Sequence, residues 1–126
     1  MIIATGTVER LLNIPGEQEM IGRGISFCAV CDAAFYRNKP VIIVGAGNAA
    51  FEESLYLAEF ASKVTILARR DVISAEQITQ EKVAANPKIE VLTWRVPQEV
   101  LSKIMRCGPQ GCLINRQEQW KRMLAK

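Results

Sequence analysis

Two short stretches carry residues whose types and spacing can do chemistry. The first is Cys28-Ala29-Val30-Cys31-Asp32, two thiols spaced to close a small disulfide ring with a carboxylate directly after them. If the pair opens a helical turn, the positive end of that turn favours the thiolate, the reactive form of cysteine. The chain has no histidine, so Asp32 is the nearest candidate to move protons during thiol–disulfide exchange. The plain alternative is two buried cysteines acting as small hydrophobes beside a capping aspartate. The second stretch is Gly45-Ala46-Gly47-Asn48-Ala49-Ala50, a G-x-G-x-x-A pattern. In such a pattern the first glycine permits a tight turn. The second lets backbone approach a pyrophosphate, and the small third residue lets a helix lie near a strand.

The elements needed to position these residues are legible around them. Val41 to Val44 is a short apolar run rich in β-branched residues, expected as a strand buried on both faces. A helix is expected from Asn48 to about Phe60, with Phe51, Leu55 and Ala58 on one side and Glu52, Glu53 and Glu59 toward water. Val64 to Leu67 is the second strand. This strand–turn–helix–strand context turns a weak glycine pattern into a dinucleotide-binding fingerprint, with phosphates at the helix N-terminus. At the end of the second strand, where an acidic residue would bind the ribose of NAD(H), stand Arg69 and Arg70. A guanidinium fork suits a 2′-phosphate, which favours NADP(H); the alternative is a solvated basic turn paired with Asp71.

The remaining segments are read in the same way. Met1 to Gly6 is an apolar run expected to be a strand stopping at Gly6, and Glu17 to Gly24 a polar surface connection. Ala33, Ala34, Phe35 and Tyr36 are expected to pack toward the strand at Val41. Ser74 to Gln77 has the S-x-x-Q form of a capping box, predicting a helix over 75–85 with Ile78 and Val83 as its main apolar residues and Asn86-Pro87 as its end. Ile89 to Trp94 is the third strand of a parallel sheet. Cys107 to Cys112 is expected as a loop, and Trp120, Met123 and Leu124 suggest a short C-terminal helix after Asn115.

Composition narrows the classes. With 126 residues, 49% apolar and 23% charged, the chain can bury one ordinary core. No apolar run approaches a membrane span and no signal peptide is visible, so a cytoplasmic protein without a membrane partner is expected. Six basic residues and one acid in 103–126 give that tail a net +5, which leaves ten basic and twelve acidic residues, net −2, in 1–102. A body of that charge is not expected to bind nucleic acid. An all-cysteine zinc site would need Cys28, Cys31, Cys107 and Cys112. The second pair has four residues between its cysteines, outside the usual zinc spacings, so no metal is expected. A C-x-x-C beside a βαβ pattern points to redox chemistry instead.

Taken together, ATG at 4–6, GRGISFCAVCDAAFYRNK at 22–39, VIIVGAGNAAFEESLYLAEFASKVTILARRD at 41–71 and ANPKIEVL at 85–92 resemble the low-molecular-weight bacterial thioredoxin reductases. The resemblance runs over about residues 1–101 and implies an α/β, Rossmann-like parallel sheet flanked by helices. It implies residues 1–24 as a remnant of the FAD-binding domain and linker, 25–101 as the NAD(P)H-binding domain with its redox motif, and 102–126 as a divergent tail. A truncated or frame-shifted reading frame is expected to give such a chain. The implied chemistry is NADPH-dependent reduction of a protein disulfide through FAD and a dithiol. Cys28, Cys31 and Asp32 would be catalytic, with Gly45, Ala46, Gly47, Asn48, Ala49, Ala50, Arg69 and Arg70, and also Ala4, Thr5 and Gly6, binding cofactors. The implied partner is a thioredoxin-like disulfide protein, with a homodimer as one assembly; the alternative is a non-catalytic NADP(H)-binding piece of such an enzyme. The family's pattern is altered in places: Ala68 stands for a histidine, Ser74 for a third phosphate-binding arginine and Ala33 for a glycine.

Overall fold

The computed structural model describes residues 1–6, 8–97 and 100, and the strand backbones of 105–108 and 111–114. The helix expected after Asn115 lies outside the described residues. Residues 1–6 are exposed and form no strand, contrary to expectation. A strand exists by pairing its backbone groups with a neighbour, and among the described residues none lies beside them. The connection expected over 17–24 holds a helical turn, α1 (Glu17–Met20), with both end residues buried. The Glu17 carboxylate accepts from the Leu12 and Asn13 N–H groups at 2.9 and 2.8 Å, so a charged side chain folds the loop onto itself. Gly16, at φ +81°, lies against the Val100 carbonyl, and the Val100 N–H donates to the Pro15 carbonyl at 2.9 Å.

Next come α2 (Ala29–Asp32) and a 3₁₀ turn, Ala33–Tyr36. Only Ala33 and Tyr36 of that turn are buried; Ala34 and Phe35 face outward. The repeat of three residues per turn puts 33 and 36 on one face, which the expectation that all four would pack did not separate. Then β1 (Pro40–Val44), α3 (Asn48–Ala58), β2 (Lys63–Leu67), α4 (Gln77–Ala85) and β3 (Ile89–Leu92) form the βαβαβ body. The strands lie side by side in the order β1-β2-β3, and both pairings are parallel, Val41 opposite Val64 and Val64 opposite Ile89. This is the α/β architecture expected from the sequence.

Burial follows position in the sheet. Central β2 buries Val64, Ile66 and Leu67 completely. The strand expected to be covered on both faces, β1, is one of the two edge strands of this sheet, and its residues are half-buried, with Val44 exposed. Two apolar clusters meet on α3. Leu57, Ala58 and Ala61 pack with Val64, Ala29 and Ala33, while Ala50 and Phe51 pack with Ile66, Ala75 and Val83. In α4 the buried residues are Thr79 and Val83, and Ile78 is 60% exposed. The pairing of Ile78 with Val83 fails because a spacing of five turns the helix well past one face, whereas i, i+4 stays on it. The stretch expected as a loop at 107–112 belongs to an antiparallel hairpin, β4 (Met105–Gly108) and β5 (Gly111–Ile114), in which Cys107 and Cys112 are register partners. Only the backbone pairing of four residues a side separates it from a loop, too short a run for a clear alternation in sequence.

Two tests follow from this packing. Phe51 is 1% exposed between sheet and α4, so Phe51→Ala is expected to cost about 3–5 kcal/mol in denaturant unfolding. Glu53, half-buried on α3, has its carboxyl pushed above the ordinary 4.5 by loss of water around it. The folded chain therefore holds this proton to higher pH than the unfolded chain. The group's stabilising effect is complete below its unfolded value and is lost as pH rises through the folded one. Glu53→Gln is expected to raise the melting temperature at pH 7 and to leave it unchanged well below pH 4.5.

Candidate functional site

The glycine turn joins β1 to α3. Gly45 stays in the sheet, its N–H donating to the Leu67 carbonyl at 3.0 Å. Its φ is +152°, and a Cβ there would stand 3.1 Å from the Ala50 Cβ. Glycine at 45 is thus demanded by the fold, and a small residue at 50 lets α3 come this close to the strand. Gly47 is different. Its φ of −97° suits any residue, and a Cβ there would meet only the Ser74 Oγ, at an ordinary 3.7 Å. Among the described residues nothing in the chain itself requires glycine at 47. Gly47 is the N-cap of α3 and has no side-chain cap. Among the described residues, no hydrogen bond is donated by the N–H groups of Ala46, Gly47, Asn48, Ala49 or Ala50. These are the orphan donors of a helix start, and they carry its partial positive charge. A phosphate fits such a set, and a bare backbone at 47 admits it.

Arg69 and Arg70 stand exposed just beyond the end of β2. Neither is in an ion pair among the described residues, where the one such pair joins Lys63 Nζ to Glu90 at 2.6 Å; the expected alternative pairing with Asp71 is not made. Ala68 is fully buried and turns no atom of its side chain toward a ligand. The S-x-x-Q capping box does not form either. The cap of α4 is Glu76, with no side-chain bond, and Ser74 is turned the other way. Its N–H and its Oγ both donate to the Ala46 carbonyl, at 2.9 and 3.2 Å. The Asn48 Oδ1 accepts from the Glu76 N–H at 2.7 Å. Sequence reasoning assigned Asn48 to the cofactor, but its side chain is engaged within the chain, and what it offers outward is its N–H. Ser74 was not among the expected site residues; the signal for it was its place where the resembled family has a third phosphate-binding arginine.

The redox pair is closed as a disulfide, Cys28 to Cys31, with a Cα–Cα distance of 5.3 Å. Cys28 is the N-cap of α2, and its Sγ accepts from the Cys31 N–H at 3.2 Å. Ser26 Oγ accepts from the Cys28 N–H at 3.1 Å and lies 3.2 Å from the Cys28 carbonyl as donor. Cys31 is exposed and Cys28 half-buried, so Cys31 presents the sulfur more open to attack. Asp32 is half-buried beside it, and its carboxylate makes no hydrogen bond among the described residues. The two motifs do not adjoin. Ala29 and Ala33 pack on Leu57 and Ala58, at the C-terminal end of α3, whereas the glycine turn begins that helix, a separation of about 15 Å at 1.5 Å per residue. Ala4, Thr5 and Gly6 are exposed, and no described hydrogen bond ties them to either motif.

Comparison with known proteins decides the family. The family model described as pyridine nucleotide-disulphide oxidoreductase matches residues 1–103. The chain belongs to that family. It is 50% identical over 92 residues to a thioredoxin reductase of Peptoclostridium acidaminophilum, covering 73% of this chain and 29% of that protein. It is 52% identical over 94 residues to a thioredoxin reductase of Dictyostelium discoideum, covering 73% and 30%. The crystal structure of Lactococcus lactis thioredoxin reductase superposes with a TM-score of 0.76 at 41% identity, over 86% of this chain and 34% of that one. The chain thus spans about three-tenths of the length of the curated relatives it matches. Among its described residues no helix is long and apolar enough to cross a membrane.

The two glycines of this oxidoreductase turn make separable predictions. Gly45→Ala strains the backbone and meets Ala50, and is expected to lower stability by about 1–3 kcal/mol. Gly47→Ala is expected to melt within a degree or so of the unaltered protein, since its Cβ finds ordinary contacts. Thermal melts followed by circular dichroism read both.

Proposed function

We propose that this chain is the nucleotide-binding and disulfide-bearing part of a thioredoxin reductase-type oxidoreductase. NADP(H) lies with its pyrophosphate on the N–H groups of residues 46–50 and its 2′-phosphate on Arg69 and Arg70. The observation that carries the reading is the uncapped start of α3 at a glycine the fold itself does not need, five donors together on one turn. Two guanidinium groups at the end of β2, in no ion pair among the described residues, supply the fork that suits a phosphate monoester.

The Cys28–Cys31 disulfide is the electron acceptor. Taking up two electrons and two protons, it opens to two thiols, and Asp32, next to Cys31 in sequence, is our candidate to hand a proton to or from the exposed Cys31 sulfur. The dithiol then passes the same electrons to a disulfide in a thioredoxin-like protein, reforming its own bond. A flavin supplies, when bound, the link between a two-electron hydride donor and a disulfide. The described residues do not fit a flavin cradle. Ala4, Thr5 and Gly6 are exposed and free of packing, so no step of the reading runs through them. The separation of the two motifs by the length of α3 calls for such a link to come from outside the described residues. A chain that binds NADP(H) without turnover is the second reading, and that same separation favours it for the isolated chain. A cytoplasmic setting goes with both readings.

Isothermal titration of the purified protein with NADP⁺ tests the proposal. Saturable binding is expected, and Gly47→Ala is expected to weaken it at least about tenfold by filling the space a phosphate needs. Replacing both Arg69 and Arg70 by Ala is expected to weaken NADP⁺ by about tenfold to a hundredfold while sparing NAD⁺. Absence of saturable binding by the unaltered chain at millimolar NADP⁺ would sink the proposal.

A further inference from the structure

The segment 69–73, which carries the two arginines, is fixed at both of its ends. At the β2 end, the Ala68 N–H donates to the Leu92 carbonyl at 2.9 Å, and the Ala68 carbonyl accepts from the Arg95 N–H at 3.0 Å. At the far end the segment is fastened to the glycine turn by Ser74, through N–H and Oγ to the Ala46 carbonyl, and one step later by the Glu76 N–H on the Asn48 Oδ1. Two exposed side chains from opposite partners therefore form a double clasp between the phosphate turn and the arginine segment. The glycine turn does not depend on this clasp. It has bonds of its own, from the Gly45 N–H to the Leu67 carbonyl at 3.0 Å and from the Phe51 N–H to the Gly47 carbonyl at 3.2 Å.

We infer that Ser74, seconded by Asn48, is a positioning residue for 2′-phosphate recognition: it fixes how far Arg69 and Arg70 stand from the pyrophosphate turn. The inference rests on the nucleotide-binding reading above. A dinucleotide touching both the turn and the arginines needs the two at one spacing. If the clasp is loosened, segment 69–73 must be ordered at the moment of binding, and that cost falls only on a ligand that uses it. NAD⁺ engages the turn but carries no 2′-phosphate, so it does not bear the cost.

The experiment titrates the full chain and its Ser74→Ala, Ser74→Thr and Asn48→Ala variants with NADP⁺ and with NAD⁺, and follows amide hydrogen exchange in the free proteins. Ser74→Ala is expected to weaken NADP⁺ by about threefold to tenfold, the range of one lost hydrogen bond. NAD⁺ binding should stay where it was, and exchange at residues 69–73 should speed up. Asn48→Ala should act in the same direction, and Ser74→Thr should restore both readouts by keeping the hydroxyl. Equal weakening of both dinucleotides, or unchanged exchange at 69–73, overturns the positioning role while leaving the nucleotide site standing. Unaltered protein that binds neither dinucleotide overturns the nucleotide reading and this one with it.

Discussion

The constraint on which the βαβ body depends is the approach of Ala50 to the Gly45 backbone, its Cβ 3.1 Å from where a Cβ at 45 would sit. It forces the chain to leave β1 and enter α3 within a few residues while Gly45 is still bonded to Leu67. Once α3 begins there, Phe51 must lie on the sheet beside Ile66, and Leu57 and Ala58 must lie beside Val64. At the helix start the N–H groups of residues 46–50 donate to no partner among the described residues, although Ser74 and Glu76 lie beside it. A single steric demand thus sets the core and at the same time lays open the site. Hydrophobic burial stabilises the arrangement, but burial is not directional, and it is the turn that selects which end of the helix is left unpartnered.

The same turn explains which parts of the molecule were legible in the sequence. The β1–α3–β2 unit was, because three signals agreed there: β-branched runs, glycines at fixed offsets and a helical stripe at 51, 55 and 58. The cysteine pair, closed as the Cys28–Cys31 disulfide, and the two exposed arginines at the end of β2 were legible because each is a local pattern. What escaped were interactions between positions far apart in sequence. Ser74 reads locally as a helix cap, and in isolation a serine three residues before glutamine would cap. A carbonyl at Ala46, 28 residues away, competes for its hydroxyl and prevails. Ile78 reads as core because it is apolar, yet Thr79 occupies the inward position. Helix phase is set by where the clasp lets α4 begin, at Gln77, and local hydropathy does not report that.

Residues 1–6 and 17–20 show the converse. Met1 to Gly6 has the composition of a strand and no neighbour among the described residues to pair with. Strand propensity is a fit to a half-buried surface more than a property of the backbone, so an apolar run without that surface forms no strand and stays exposed. Glu17, in a stretch read as polar surface, is 3% exposed. A carboxylate can be buried there because two backbone N–H groups, those of Leu12 and Asn13, replace the water it loses. Polarity alone predicts exposure; the loop's own free donors reverse it.

Helix α3 sets the two chemical motifs at its opposite ends, and the division follows from what each needs. Phosphates are best held by the positive start of a long helix, where several N–H groups converge. A disulfide needs an exposed sulfur on a short, well-supported turn, and Ala29 and Ala33 provide that support by packing their small side chains on Leu57 and Ala58. Alanine at both positions brings α2 close against α3, so the cysteine turn is carried by the same rigid element as the phosphate turn. The start of α3 and the residues that support the cysteine turn thus lie about 15 Å apart along one helix. If the two motifs carry the chemistry proposed above, electrons passing between them need a carrier that reaches both ends of α3.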